Sequence, residues 1–438
     1  MTVVKTALPG GDDVNAVVLD IGASSFRAGF AGEDVPRILE SSVWRTASDV
    51  SMGSGKVGPR GSPANFLAYS SNVELNRTIV TDPKTGESHL DQDVFEDLVK
   101  YSYQSDRGFR IDVGDSPLIL TEPNKTNLKY RKTCLETSLE TFSFPAVSLL
   151  RKATASAFAS GKPSGLVVDI GASMTSVVPV YDGFVIQKPI IEHAGAGGDL
   201  LDTILAEVLK KKRFNVTPFY KNTANVPSDF LEASRMAVVR DLKHELCRMS
   251  PTPLSSVSGY SNWNMQEDSV TSSNKGTSVL PDGTPIDLGP IAQVIPELLF
   301  DPSPVSVIPN LSSSMAGFPG IGVSALECVA NCDVDIRKQI SSDVILVGGS
   351  SLFTGMPDRL LKALTSVSQS PPRSGGSQPL PIPKCKVTAT PVSVDRQSSS
   401  WLGCSIVASC ATFQQLWISK HQYQEDGFDR VVSRQLFW

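Results

Sequence analysis

AVVLDIGASSFRAGF at residues 16–30 and GLVVDIGASMTSVVP at residues 165–179 decide the fold. Both carry the string DIGAS behind an apolar run, so the chain repeats one supersecondary unit. In each copy the valine-rich run predicts a buried strand, and the glycine after the aspartate permits a tight turn into a second strand. A third apolar run, Val344 to Val347, ends in Gly348 and Gly349 and leads into SSLFTGMPDRLLKAL, whose apolar spacing predicts a helix.

An aspartate at the end of a buried strand is costly unless something pairs with it, because the carboxylate loses its hydration there. Asp20 and Asp169 both hold that position. Small residues follow each: Gly22, Ala23, Ser24 and Ser25 in the first copy, Gly171, Ala172 and Ser173 in the second. Such residues let backbone amides point into a cleft and cradle phosphate oxygens. Two facing copies would grip a polyphosphate from both sides. Asp20 and Asp169 would then hold, through water, a magnesium ion, which keeps several waters and takes few carboxylates. For one copy alone, an aspartate capping its own hairpin is an equally good account. The duplication, joined to the distant VGGSS turn, favours the phosphate site.

Helical spacing recurs between these units, in VFEDLVKYSYQ near 94–104, KYRKTCLETSLETF near 129–142 and DLLDTILAEVLKKK near 199–212. Alternating strands and helices predict an α/β protein. With 438 residues, 40% of them hydrophobic, the chain has material for two lobes. Three segments rich in Gly, Ser, Asn or Pro, at 46–63, 250–276 and 366–383, read as surface loops or insertions.

The charge balance of 40 basic against 45 acidic residues gives −5, which predicts no strong direct nucleic-acid binding. No apolar stretch is long enough to cross a membrane and the first residues lack the apolar centre of a signal peptide, so a soluble intracellular protein without membrane contact is expected. Seven cysteines without a CxxC, beside four histidines, argue against a zinc site or a disulfide framework. Cys328 and Cys332 stand four apart, and small buried residues are the expected reading. KKKR at 210–213 ends a helical pattern, where cations suit the helix dipole, and reads as that before it reads as an import signal.

The three-part pattern resembles the superfamily of actin, sugar kinases and heat-shock ATPases. SSWLGCSIVASCATFQQLWISKHQYQEDG at 399–427 narrows this, because it closely resembles the C-terminal segment of actin. By itself that segment predicts a turn at Gly403, a helix from Ser405 to about Leu416 and a second helix carrying Tyr423. TEPNKTNLKYRK at 121–132, FPAVSLLRKATASAFASG at 144–161, RDLKHELC at 240–247 and VGGSSLFTGMPDRL at 347–360 extend the similarity along most of the chain. GGDDVNAVVLDIG at 10–22, AGEDVP at 31–36, LFDPS at 299–303 and CDVDIR at 332–337 resemble the nuclear actin-related members of chromatin-remodelling and histone acetyltransferase assemblies.

The resemblance implies an actin-like fold of two lobes with a nucleotide cleft between them. Residues 1–155 plus 385–438 would form one lobe, with an insertion at about 41–79; residues 156–384 would form the other, with an insertion at about 196–329. ATP and magnesium are the implied ligands. Arg27 falls where the family has a phosphate-binding lysine, Arg240 and Lys243 border the base and ribose, and Gly348, Gly349, Ser350 and Phe353 form the turn under the adenosine. Departures bear on turnover. Lys152 stands where the family places the glutamine that orients the attacking water, Ala172 replaces an aspartate, Ser176 replaces a histidine, and His244 replaces a glutamate at the nucleoside. ATP binding with little or no hydrolysis is therefore expected, since a protonated lysine has no lone pair to offer.

The segment from Trp44 to Tyr69 lacks the chemistry of actin's subunit-contacting loop, which predicts a protein that does not polymerise. The implied partners are nuclear actin, a scaffold helix in a groove between Ser148–Ala157 and the segment carrying Leu402, Ile406, Phe413 and Trp417, and an indirect histone or nucleosome contact. Nuclear location follows from the resemblance alone. An active ATPase, a sugar kinase and a cytoskeletal filament protein are the competing readings.

Overall fold

The computed structural model describes residues 16–47, 61–66, 73–81, 87–220, 225–254, 277–307, 317–368 and 385–435. Much of the three loop-like segments therefore lies outside the described residues, namely 48–60, 255–276 and 369–384.

Two six-stranded sheets organise the α/β fold. In the first, Val17–Ile21 pairs antiparallel with Ser25–Phe30 and parallel with Leu118–Glu122, which in turn runs parallel to Ala146–Arg151. The second repeats this arrangement. Gly165–Ile170 pairs antiparallel with Met174–Tyr181 and parallel with Asp343–Val347, which runs parallel to Lys386–Thr388. The strands that face helices on both sides are apolar almost throughout, as parallel strands buried on two faces must be. Val17–Ile21 and Leu118–Glu122 are buried at every position.

The duplication extends to individual bonds. The Gly22 amide donates to the Ser25 carbonyl at 2.9 Å, and the Gly171 amide donates to the Met174 carbonyl at 2.9 Å. A Cβ on Gly22 would stand 2.9 Å from that Ser25 oxygen and one on Gly171 would stand 3.1 Å from the Met174 oxygen, so each turn closes tightly because the side chain is missing.

The helix Lys152–Ala159 lies between the two sheets. Ala155 joins a cluster with Val18, Ile119, Trp401, Cys404 and Ala408 on the first sheet's side, whereas Ala153 and Ala157 pack with Val167, Val178, Val180 and Ile345 on the second's. Its run of Ala, Thr and Ser makes it thin, and a thin helix lets its neighbours approach on both faces. The remaining core splits into two clusters, one under the first sheet around Phe95, Leu98 and Tyr130 and one under the second around Ile204, Leu242 and Ile295.

Several elements differ from the sequence expectation. The helix through KYRKTCLETSLETF is α-helical only over Leu128–Leu135 and widens into a π-helix over Glu136–Thr141. No turn forms at Gly403. An α-helix runs through it from Ser399 to Ser409, and Ala411–Leu416 is a 3-10 helix. Helix packing overrides the usual turn preference of glycine here, because this residue abuts the backbone of Ala155. The expected helix after Gly349 begins as a 3-10 turn over Gly349–Leu352, and α-helix starts only at Met356, after the left-handed Gly355 with φ of 85°.

Around Trp44 a three-stranded sheet forms from Gly61–Pro63, Val43–Ala47 and Val73–Arg77. Trp44 itself is fully buried, 6.1 Å from the ring of Phe26 and 5.7 Å from that of Tyr101. Cys328 and Cys332 are buried core residues on consecutive turns, with the Cys332 thiol donating to the Cys328 carbonyl at 3.3 Å. Among the described residues no helix is long and apolar enough to cross a membrane.

Candidate functional site

A cavity of about 750 Å³ opens where the two hairpin turns and the third glycine turn converge. Asp20, Gly22, Ala23, Ser24, Ser25 and Arg27 line it from the first sheet, and Asp169, Gly171, Ala172, Ser173 and Ser176 from the second. Gly348, Gly349 and Ser350, with Arg240, Lys243 and His244, complete the far wall. The carboxyl ends of parallel strands are where α/β proteins place ligands, because the strands stop there and the loops diverge.

Phe353 is the exception among the residues expected here. It is 6% exposed and belongs to the core of the second sheet, so it does not line the cavity. The 3-10 turn over Gly349–Leu352 carries the chain away from the opening, and an aromatic ring gains more from the apolar cluster than from a polar wall.

Gly348 in the third turn has a steric reason. Gly348 has a φ of 94°, and a Cβ there would strike the Asp169 carboxylate and the backbone of Ile170. The Ser350 hydroxyl donates to the Gly171 carbonyl at 3.0 Å, fastening this turn to the second hairpin.

The two aspartates stand in opposite electrical settings. Asp20 is 1% exposed and is met by four groups. The Thr121 and Ser400 hydroxyls donate to it at 2.7 Å each, the Arg27 guanidinium lies at 3.2 Å and the Lys152 ammonium at 3.5 Å. Burial alone would raise its pKa, but Lys152, then Arg27, Ser400 and Thr121, outweigh it and hold the carboxyl at about 2. Asp169 receives no such support. Burial pushes its pKa up, the nearby Asp20 charge adds to that, and Lys152 and Arg27 oppose it only from a distance.

This arrangement does not fit the magnesium site expected between the two carboxylates. An ionised carboxylate has about four acceptor positions. At Asp20 two hydroxyls and the Arg27 guanidinium already take three of them, the Lys152 ammonium stands 3.5 Å away, and two positive neighbours repel a third. Asp169 lines the cavity without an ion pair among the described residues.

Lys152 is also tied to the first loop, its ammonium donating to the Ile21 carbonyl at 2.6 Å. On the far wall, Lys243 is 2% exposed, pairs with Asp202 at 2.6 Å and donates to the Gly198 carbonyl at 2.9 Å. Arg240 bridges Asp202 and Asp199, each at 3.1 Å. Both cations are thus charge-matched by the helix Gly198–Lys211 before any ligand arrives. Thr121, Ser400 and Asp202 were not legible as site residues, because their partners lie far away in sequence and no spacing signals them.

The segment expected to border a partner groove is only partly open. Phe413 and Trp417 are core residues, 4% and 3% exposed, stacked edge to face at 5.5 Å, whereas Ile406 is 42% exposed. Apolar rings of this size stay inside when the helix Ser399–Ser409 packs directly on the helix Lys152–Ala159.

Comparison with known proteins agrees with the geometry. The sequence model of the family described as Actin matches residues 11–437. A protein of Schizosaccharomyces pombe named actin-related protein 4 is 31% identical over 98% of this chain and 98% of its own length. Proteins of the same name from Oryza sativa and Arabidopsis thaliana are each 29% identical, over 96% and 95% of this chain and 98% of their own lengths. With the duplicated hairpins, the facing turns and a family match along nearly the whole sequence, the chain belongs to the actin family.

Proposed function

We propose that this protein is a nuclear, non-polymerising actin-related subunit that holds ATP between two lobes and serves chromatin-remodelling or histone acetyltransferase assemblies as a structural part. One observation carries the nucleotide half of this reading. Two hairpin turns with the same closing bond, and a third glycine turn fastened to one of them, line a single cavity. Membership of a nucleotide-binding family supports it. In this reading residues 1–155 and 385–438 make one lobe and 156–384 the other, except that Lys386–Thr388 pairs within the second sheet and so goes with the second lobe.

Slow or absent hydrolysis is supported by what surrounds the place of a terminal phosphate. Lys152 commits its ammonium to Ile21 and Asp20. Protonated, it has no lone pair and does not accept a proton from the attacking water. The Ala172 side chain offers no polar atom, and Ser176 is 2% exposed, paired across its hairpin with Asp169. The resemblance to nuclear members of the family and the names of the relatives support the assembly role, with nuclear actin and a scaffold helix as partners. Ile406, exposed on the helix Ser399–Ser409, is the apolar residue there that such a helix would cover.

A single-turnover assay with ATP on monomeric protein tests the reading. ATP should be retained as ATP. Rapid phosphate release that disappears in Asp169→Ala would favour the competing active ATPase, and pelleting of the pure protein with ATP would favour the filament protein. Affinity purification that recovers actin and a helical scaffold subunit would support the assembly role.

A further inference from the structure

In this cleft the chain's own cations occupy the electrical position that a divalent ion would take. Lys152 and Arg27 both contact Asp20, and both charges reach Asp169. The Asp20 carboxylate is therefore flanked by two fixed cations, whose charges also offset part of that on Asp169. We infer that Lys152, with Arg27, lets the cleft take ATP without magnesium. The inference rests on the nucleotide reading given above.

The physical argument is one of charge balance. Two bare aspartates at the mouth of a phosphate cradle repel an incoming polyphosphate, and a bound divalent ion is the usual remedy. Here that repulsion is already reduced, and the Asp20 oxygens carry three donors that an ion would have to displace. Lys152 is placed to do more than neutralise. Its ammonium has three donors. Ile21 takes one, the Asp20 carboxylate attracts the ammonium as an ion pair at 3.5 Å, and no acceptor among the described residues takes the third. Its side chain keeps 22% exposure and lines the cavity beside the amides of the first loop, which leaves that donor for a phosphate oxygen. Lysine serves phosphates in this manner, as a mobile point charge, while the guanidinium of Arg27 is held by Ser398 at 3.0 Å and works through its field.

Equilibrium binding of ATP to the full purified chain, in magnesium and in excess EDTA, tests this. The dissociation constants should agree within about threefold. Lys152→Gln should weaken binding in EDTA by about tenfold or more and recover in magnesium, because the uncharged amide leaves the carboxylates in need of an external cation. Lys152→Arg, which keeps the charge, should behave as the unaltered chain does.

A loss of about tenfold or more on chelating the unaltered protein would overturn the inference while leaving the nucleotide reading intact. Equal binding by Lys152→Gln in both conditions would overturn it as well, since a merely structural lysine confers no metal dependence when it is removed. Absence of ATP binding under both conditions, in protein shown by circular dichroism to be folded, would overturn the nucleotide reading and this inference with it. Should Lys152→Gln fail to fold, the comparison on the unaltered chain and on Lys152→Arg decides the matter.

Discussion

Gly403 and Ala155 pack backbone against backbone, so that a Cβ on the glycine would overlap the carbonyl of the alanine. The contact joins the helix Ser399–Ser409 to the helix Lys152–Ala159, and therefore ties the C-terminal region to the segment that carries Lys152. Adding a methyl group forces the two helices apart rather than moving a flexible side chain. Overpacking of this kind costs about 1–3 kcal/mol, and contact with backbone places Gly403→Ala at the upper end. Gly161 provides a control: its φ is 65° but the space around it is open, so Gly161→Ala should cost only the left-handed backbone penalty of about 1–2 kcal/mol. Urea midpoints of the two variants measure the difference, and a milder effect at Gly403 than at Gly161 would contradict the packing described.

Glu122 anchors a second buried junction. Arg131 meets it as a fork, with both bonds at 2.7 Å, and Arg151 lies 3.6 Å away, all three residues being at most 3% exposed. Breaking a buried ion pair from one side leaves an unmatched charge and costs about 3–5 kcal/mol. Glu122→Gln should therefore lower stability by roughly that amount in denaturant titrations. Replacing both members of a buried pair by apolar residues is often harmless, but Glu122→Leu with Arg131→Met should stay destabilised, because Arg151 keeps its charge in the same pocket. A fully restored midpoint in the double variant would show that Arg151 contributes nothing to the cluster.

The legible part of this site was the part written in local spacing. DIGAS, repeated, gave both hairpins and both aspartates, since turn chemistry and buried strands depend on neighbours in sequence. The glycine pair at 348–349 was legible for the same reason. What escaped depends on contacts across the chain. That Ser400 would bond Asp20, that Asp202 would neutralise Lys243, and that the ring of Phe353 would turn inward are outcomes of packing. Gly403 was misread because a glycine that permits a turn and a glycine that permits close helix contact look the same in one dimension. The unequal states of Asp20 and Asp169 were invisible too, for two identical motifs acquired different partners once folded.

That inequality predicts opposite effects of two similar substitutions on the protein without ligand. Asp169 is an acid whose pKa is raised on folding, mainly by burial. Such a group stabilises the fold only at pH below its unfolded value and becomes a cost as pH rises through its folded value. Keeping it in the fold therefore carries a cost at neutral pH, above its unfolded value, so Asp169→Asn should raise the melting temperature of the unliganded chain. The gain should shrink as the pH is lowered toward the ordinary carboxylate range. Calorimetric scans across that range would expose the error if the substitution destabilised the protein at neutral pH.

Asp20 has the reverse dependence. Its pKa falls on folding from the ordinary 3.8 to about 2, because Lys152, Arg27 and two hydroxyls outweigh its burial. Its contribution is complete above the unfolded value and disappears as pH falls through the folded one, a window from about pH 4 down to about pH 2. The shift corresponds to about 2 kcal/mol at neutral pH. Asp20→Asn should therefore be less stable than the unaltered chain by about that amount or more near pH 7, and the gap should close only inside that acid window. Lys152→Gln should move the onset of the closure upward in pH, since the largest of the forces holding the carboxyl down has been removed. If the gap between Asp20→Asn and the unaltered chain began to close near pH 6, Asp20 would not be the paired carboxylate described, and the charge offset that admits ATP without a divalent ion would lose its footing.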